Sequence, residues 1–322
     1  VSDLVGLFSL LAPFFGLIVI GIVAAKTAKL PVEGLAWMRF FLVYLSLPCL
    51  FFRLLADKPI AEILNVRFAL LTTSATVIAF TLAFLAVVLT TKRLPAAVLG
   101  GVAGSYSNIG YMGPPLVLSF LGSAADAPVA LIFVFDTLFL FTAVPALMSL
   151  AGIERRSLGA AILAVLGRVF FHPFMLGTGA GLLASFLRFQ PPSVVDKMTL
   201  WLANAAAPSA LFVLGVMLAL QPVGRIGADV VALVVVKLIV HPLVVWVLLS
   251  LFGTPDPVWV QAAVVMAALP PALNIFVLST QYRVGIERAS ACVLVGTVLS
   301  MVTLTGLLWL FRTGAVPVLL FR

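Results

Sequence analysis

Charge is the scarcest feature of this 322-residue chain: 9% of its residues are Asp, Glu, Lys or Arg, while 63% are hydrophobic. An ordinary soluble domain carries about 25% charged residues, so the composition excludes a water-solvated globule and predicts an all-α membrane protein. Cysteine is nearly absent. Cys49 and Cys292 lie in different apolar runs without ligand spacing, and both read as packing residues. The two histidines, His172 and His241, each precede a proline and are too few for a metal site; structural or pore-facing roles suit them better. H-E-x-x-H, G-x-S-x-G and P-loop patterns are missing, which argues against an enzyme and against an ATP-driven pump. No cofactor and no metal are expected. The net charge of +8 does not mark a nucleic-acid binder, because the basic residues are scattered through short loops.

What is abundant is apolar length. Ten runs of about 20 residues each fill the chain and leave no room for a soluble domain. Counting basic residues in alternate loops puts about 11 on one side (Lys26, Lys29, Arg39, Lys92, Arg93, Arg155, Arg156, Arg168, Arg225, Arg283 and Arg288) against about 7 opposite. The richer side is expected in the cytoplasm, with both termini outside.

One run cannot be a continuous helix. Between Gly100 and Gly122 the sequence GGVAGSYSNIGYMGPPLVLSFLG holds a polar Asn108 and the pair Pro114-Pro115. Two adjacent prolines remove two backbone donors and clash with the preceding turn. An unsatisfied backbone group in hydrocarbon costs several kcal/mol, so such a break is tolerated only within protein or beside a water-filled cavity.

Sliding the chain by 160 residues aligns Pro13 with Pro173, Gly21 with Gly181, Pro48 with Pro208, Phe52 with Phe212 and Pro95 with Pro255. Residues 1–158 and 159–322 are therefore expected to be two five-helix repeats, inverted in the membrane because five is odd. Inverted repeats with interrupted helices are the architecture of secondary transporters. The repeat also predicts a second broken helix, QAAVVMAALPPALNIFVLSTQY, where Pro270-Pro271 precede Asn274 and the prolines fall four residues out of register with the first pair. The two breaks are expected to cross.

At such a crossing, half-helix N-termini are expected to present unpaired amides and partial positive charge, with Asn108 and Asn274 adding neutral donors. No Asp or Glu occurs between residues 100 and 122 or 258 and 281. That favours an anion over a cation. Two ionisable residues sit deep in other runs, Asp136 in FVFDTLFLF and Lys237 in VVVKLIVHP. Each costs about 2.5–3.5 kcal/mol to insert unpaired, so pairing with one another near Asn108 is the economical arrangement. Ser46 beside Pro48 suits either a substrate path or packing, and Gly177, Gly179 and Gly181 suggest a small helix face.

The strings NIGYMGPPLVLSFLG, AAPSALFVLGVMLA and PPALNIFVLSTQYRVGIERASACVLVGTVLS resemble the auxin efflux carrier family, which includes plant PIN proteins and bacterial malate or malonate permeases. Pro114 departs from the apolar residue common before the second proline. The resemblance implies a scaffold from spans one, two, six and seven, a transport unit from spans three to five and eight to ten, an elevator-like motion and a homodimer. It also implies substrate contact at Asn108, Pro115, Pro271 and Asn274, with a support or proton site at Asp136 and Lys237. The function expected is secondary transport of a small carboxylate across a bacterial inner membrane. A sodium-coupled bile-acid-like symporter and a non-transporting anion sensor are the alternatives.

Overall fold

The structure, a computed structural model, describes residues 2–28, 30–63, 65–153, 167, 171–221, 226–253 and 256–321. Lys29, Arg155, Arg156, Arg168 and Arg225 of the loop tally, and Pro255 of the repeat, lie outside the described residues.

Among the described residues all regular elements are helical, and one isolated β-bridge joins Ser107 to Pro271. In chain order they are α1 (Ser2–Ala28), α2 (Leu35–Ala56), α3 (Val66–Thr91), α4 (Leu94–Ser105), α5 (Gly113–Leu121) and α6 (Asp126–Leu150). The second half holds α7 (Pro173–Leu187), α8 (Ser193–Leu220), α9 (Ala228–Phe252), α10 (Pro257–Ala268), α11 (Asn274–Tyr282) and α12 (Ile286–Thr313). By length and composition, 7 of the described helical stretches can cross a membrane. Three apolar helices are shorter, α4, α7 and α10. Two of these, α4 and α10, end at the breaks that the proline pairs predict.

Proline also shapes helices that do not break. Phe41–Ser46 in α2 and Val236–Val240 in α9 are π-helical, and each stretch ends two residues before a proline, Pro48 or Pro242. Proline cannot donate to the carbonyl four residues back, and the wider turn absorbs the lost bond. Lys237 lies in the second π-turn.

The helices pack as two groups. Helices α1, α2, α7 and α8 lie against one another, and α3 packs on α4, α6 and α9 while α10 packs on α9 and α12. Within the first group, small residues set the spacing. A Cβ on Gly21 would collide with the Phe212 carbonyl, and one on Gly181 would lie 2.6 Å from the Phe52 carbonyl. Gly177 abuts the Pro48 carbonyl in the same way, whereas Gly179 faces open space. The expected small face of this helix therefore consists of Gly177 and Gly181 alone. Buried Ser46 donates to the Leu202 carbonyl at 2.6 Å, which makes it a pin between α2 and α8. In the second group, Gly104 lets α4 press against Ala83 of α3.

These contacts separate two glycines in one helix. Gly181→Ala is expected to destabilise the protein by about 1–3 kcal/mol through overpacking, and Gly179→Ala to leave stability unchanged or raise it slightly. Thermal unfolding of both variants in detergent checks this; equal midpoints would show that α2 and α7 separate without cost.

Candidate functional site at the paired helix breaks

The two breaks use their prolines differently. Pro114 and Pro115 fill the first turn of α5, where a missing N–H costs least. Pro270 and Pro271 instead lie in the gap between Ala268 and Asn274. This difference accounts for the offset between the pairs in the sequence.

The gaps then satisfy one another. Asn108 N donates to the Pro270 carbonyl at 2.9 Å, and Ala272 N donates to the Tyr106 carbonyl at 3.1 Å. Backbone groups that the breaks would leave bare are thus paired across the gap, as a low-dielectric interior requires. Close approach is possible because Gly296 of α12 lies directly against the Pro271 ring, where a side chain would not fit.

The unpaired amides expected at the half-helix N-termini are not found among the bonds of the first turns. In α5, Pro114 and Pro115 have no N–H, Gly113 N donates to the Asn108 carbonyl at 3.1 Å, and Leu116 N donates to Met112 at 3.2 Å. In α11, Ile275 N reaches the Ala272 carbonyl at 3.2 Å, while Phe276 N and Val277 N reach Leu273 at 3.0 and 3.3 Å. Tight turns consume these donors. Side chains supply further donors.

A cavity of about 120 Å³ opens at the paired gaps, with Tyr106, Asn108, Thr137 and Asn274 as polar wall and Phe133 and Phe174 as aromatic wall. Asn108 is 2% exposed, and its Nδ2 has no hydrogen-bond partner among the described residues. A buried donor left unsatisfied costs about 1–3 kcal/mol, so this amide is poised for an acceptor. The Tyr106 hydroxyl lies beside Thr137 and Asn274, and Asn274 is exposed. Pro271 is buried in the bridge, and neither it nor Pro115 is among the cavity-lining residues; both shape the break. His172, set aside in the sequence, does line the cavity, with its ring 4.6 Å from that of Phe174.

Behind this wall runs a buried polar chain. Asp136 and Lys237 do not meet directly, contrary to the expected pairing; Thr76 and His241 stand between them. Lys237 Nζ lies 3.3 Å from His241 Nδ1, His241 Nε2 lies 3.3 Å from Thr76 Oγ1, and Thr76 donates to Asp136 Oδ1 at 3.0 Å. One set of protons satisfies all three contacts. Lys237 donates to Nδ1, the ring proton sits on Nε2 and points to Thr76, and the hydroxyl proton is left for Asp136. Lys237 also donates to the Ala267 carbonyl in the last turn of α10, a group without an intrahelical partner at the negative end of the helix. The same carbonyl accepts from cavity-lining Ser107 at 3.4 Å. Cavity and charges are therefore one carbonyl apart.

Thr76 and His241 carried no motif. The signal available for His241 was spacing, since four residues from Lys237 places both on one helix face; for Thr76 there was none.

Comparison with known proteins gives two findings. The family described as membrane transport protein matches residues 7–152 and 153–308. A protein of Rhizobium meliloti (strain 1021), named "Putative malonate transporter", is 46% identical over 313 residues, covering 97% of this chain and 98% of that protein.

The chain of contacts makes Thr76 testable. Thr76→Val keeps the shape but strips the bridge, leaving buried Asp136 and His241 short of a partner, and is expected to cost about 1–3 kcal/mol. Thr76→Ser should retain most of the stability. Unfolding midpoints of the two variants measure the difference, and equal midpoints would remove the hydroxyl from the chain.

Proposed function

This chain belongs to the membrane transport protein family, and we propose that within it the protein is a secondary carrier of small carboxylates, bound where the two helix gaps pair. It is a transporter rather than an enzyme. The observation that carries the proposed site is the buried Asn108 amide, a donor without a partner among the described residues, at a cavity whose described wall holds no Asp or Glu. Asn274 and Tyr106 supply further neutral donors. Size supports the class: an apolar cavity of about 150 Å³ takes benzene, so about 120 Å³ suits an anion of malonate dimensions and not a bile acid. The name of the Rhizobium relative makes malonate the first substrate to try.

The finer architecture belongs to the same reading: ten membrane helices in two inverted repeats, crossing at the gaps. Its support includes exchanged contacts. Gly21 of the first half abuts Phe212 of the second, while Gly181 of the second abuts Phe52 of the first, each residue shifted by 160. The two packing groups suit a scaffold and a moving unit. The cavity lies between them, with Val43, His172 and Phe174 from one and the paired gaps from the other. Motion of the second group past the first would carry the site across in an elevator-like cycle. A homodimer through the scaffold, a bacterial inner membrane and termini outside complete the proposal. Asp136 and Lys237, joined through Thr76 and His241, would hold the α10 end of the gap and offer a path for a coupled proton.

Counterflow of labelled malonate into proteoliposomes, with and without sodium, tests this reading. Uptake without sodium is expected. Asn108→Ala and Asn274→Ala should each lower it about tenfold or more; the unfolding midpoint should not fall for Asn108→Ala, because Asn108 Nδ2 bonds nothing among the described residues, whereas Asn274→Ala also gives up a contact with the Tyr106 hydroxyl. Lys237→Met should impair uptake more than Arg312→Met. Strict sodium dependence would favour the symporter, and binding without exchange would favour the sensor.

A further inference from the structure

The half-helices α4 and α11 run together from the paired gaps to one face of the molecule, where a second polar feature lies. Arg93 immediately precedes α4, and Arg283 follows α11 in a left-handed conformation with φ 55°. These two, with Arg288 of α12, line a cleft of about 510 Å³ that also includes Thr91, Ile153 and Gly285. Among the described residues, no carboxylate lines it. Asp229 of α9 holds Arg288 from behind, with Oδ2 2.5 Å from Nε. The guanidinium groups of Arg93 and Arg283 have no ion pair among the described residues.

Helix ends add to the positive potential. Both α4 and α12 begin at this cleft, and neither has a side-chain cap on its N-terminus. The positive ends of two helix dipoles and two unpaired guanidinium groups therefore share one recess. Like charges gathered without a counter-charge repel, and an oxyanion relieves the repulsion. The planar guanidinium fork fits a phosphate in particular.

The surroundings indicate where that phosphate comes from. Leu89, Leu94 and Ile153 beside the cleft are 76%, 49% and 45% exposed. A soluble ion has no use for such an apron, whereas a phospholipid lays its acyl chains there. Basic recesses between helices at the membrane boundary are the recurring sites for anionic headgroups.

We propose that this cleft binds the headgroup phosphate of an anionic phospholipid, clasped by Arg93 and Arg283, with the acyl chains over Leu89 and Leu94. A bound lipid would tie the outer ends of both half-helices to the bilayer surface. This assignment does not depend on what the cavity at the gaps carries.

The test is lipid retention by the full-length protein, measured by native mass spectrometry after stepwise delipidation from phosphatidylglycerol–phosphatidylcholine mixtures. Phosphatidylglycerol should be retained over phosphatidylcholine. Arg93→Gln/Arg283→Gln should lower that retention about tenfold or more, while Arg312→Gln, which removes the same charge elsewhere, should not. Arg93→Lys/Arg283→Lys keeps the charge without the fork, guards against a folding defect, and should fall between wild type and the Gln pair. Equal retention in wild type and both double variants overturns the proposal. A second arm adds inorganic phosphate to protein in phosphatidylcholine alone, where no binding is expected; phosphate binding that equals phosphatidylglycerol binding overturns the lipid assignment in favour of a free-anion site.

Discussion

Everything at the centre of this molecule depends on one constraint: a backbone interrupted among apolar residues has to find partners for its exposed N–H and C=O groups. Neither gap satisfies all of its backbone groups alone. Each supplies what the other lacks, Asn108 N to the Pro270 carbonyl and Ala272 N to that of Tyr106. The site's position follows. Side chains flanking the exchange, Asn108 on one strand and Asn274 on the other, face the same space because the backbones beside them are tied together.

The break at residues 106–112 was legible in the sequence because proline acts on the backbone locally, and local rules need no knowledge of neighbours. The second break was legible through the repeat. What could not be read was how the freed donors would be spent. Short turns at Gly113, Leu116 and Ile275 take them up, a choice settled by turn geometry over three or four residues. The separation of Asp136 from Lys237 was hidden for a different reason. Two buried charges in an apolar sequence invite pairing, yet Thr76 of α3 and His241 of α9 occupy the space between them and bond to both ends. His172 was undervalued because its worth lies in a cavity formed by helices far apart in the chain.

The arrangement also separates recognition from charge. Neutral donors and the His172 ring line the cavity, while Asp136, Lys237 and His241 lie behind it, buried and linked through Thr76. For a carrier this has a physical advantage. A fixed cation in direct contact with a carboxylate inside a dry site gains a large Coulombic attraction and holds its ligand for long. Neutral hydrogen bonds, each worth about 0.5–1.5 kcal/mol net, allow binding and release at similar rates. The charge of Lys237 acts through the Ala267 carbonyl that it shares with Ser107, so it steadies the gap.

Such a division depends on the gap holding its shape. The second helix group is bound internally by backbone exchange, by the Asp136–Lys237 chain and by glycine-permitted close packing, all insensitive to water. Its ties to the first group combine buried stacking, with the rings of Phe51 of α2 and Phe133 of α6 3.9 Å apart, and a polar contact near a helix end. Lys58, just beyond α2, reaches Asp126 of α6 at 3.0 Å and the Ser123 carbonyl at 2.6 Å, both close to a helix end. A partly exposed ion pair contributes about 0–1 kcal/mol, which thermal motion overcomes readily. The backbone exchange that shapes the gaps thus lies wholly within one group, while packing of Phe133 on Phe51 and Phe174, together with the Lys58 ion pair, joins the two groups.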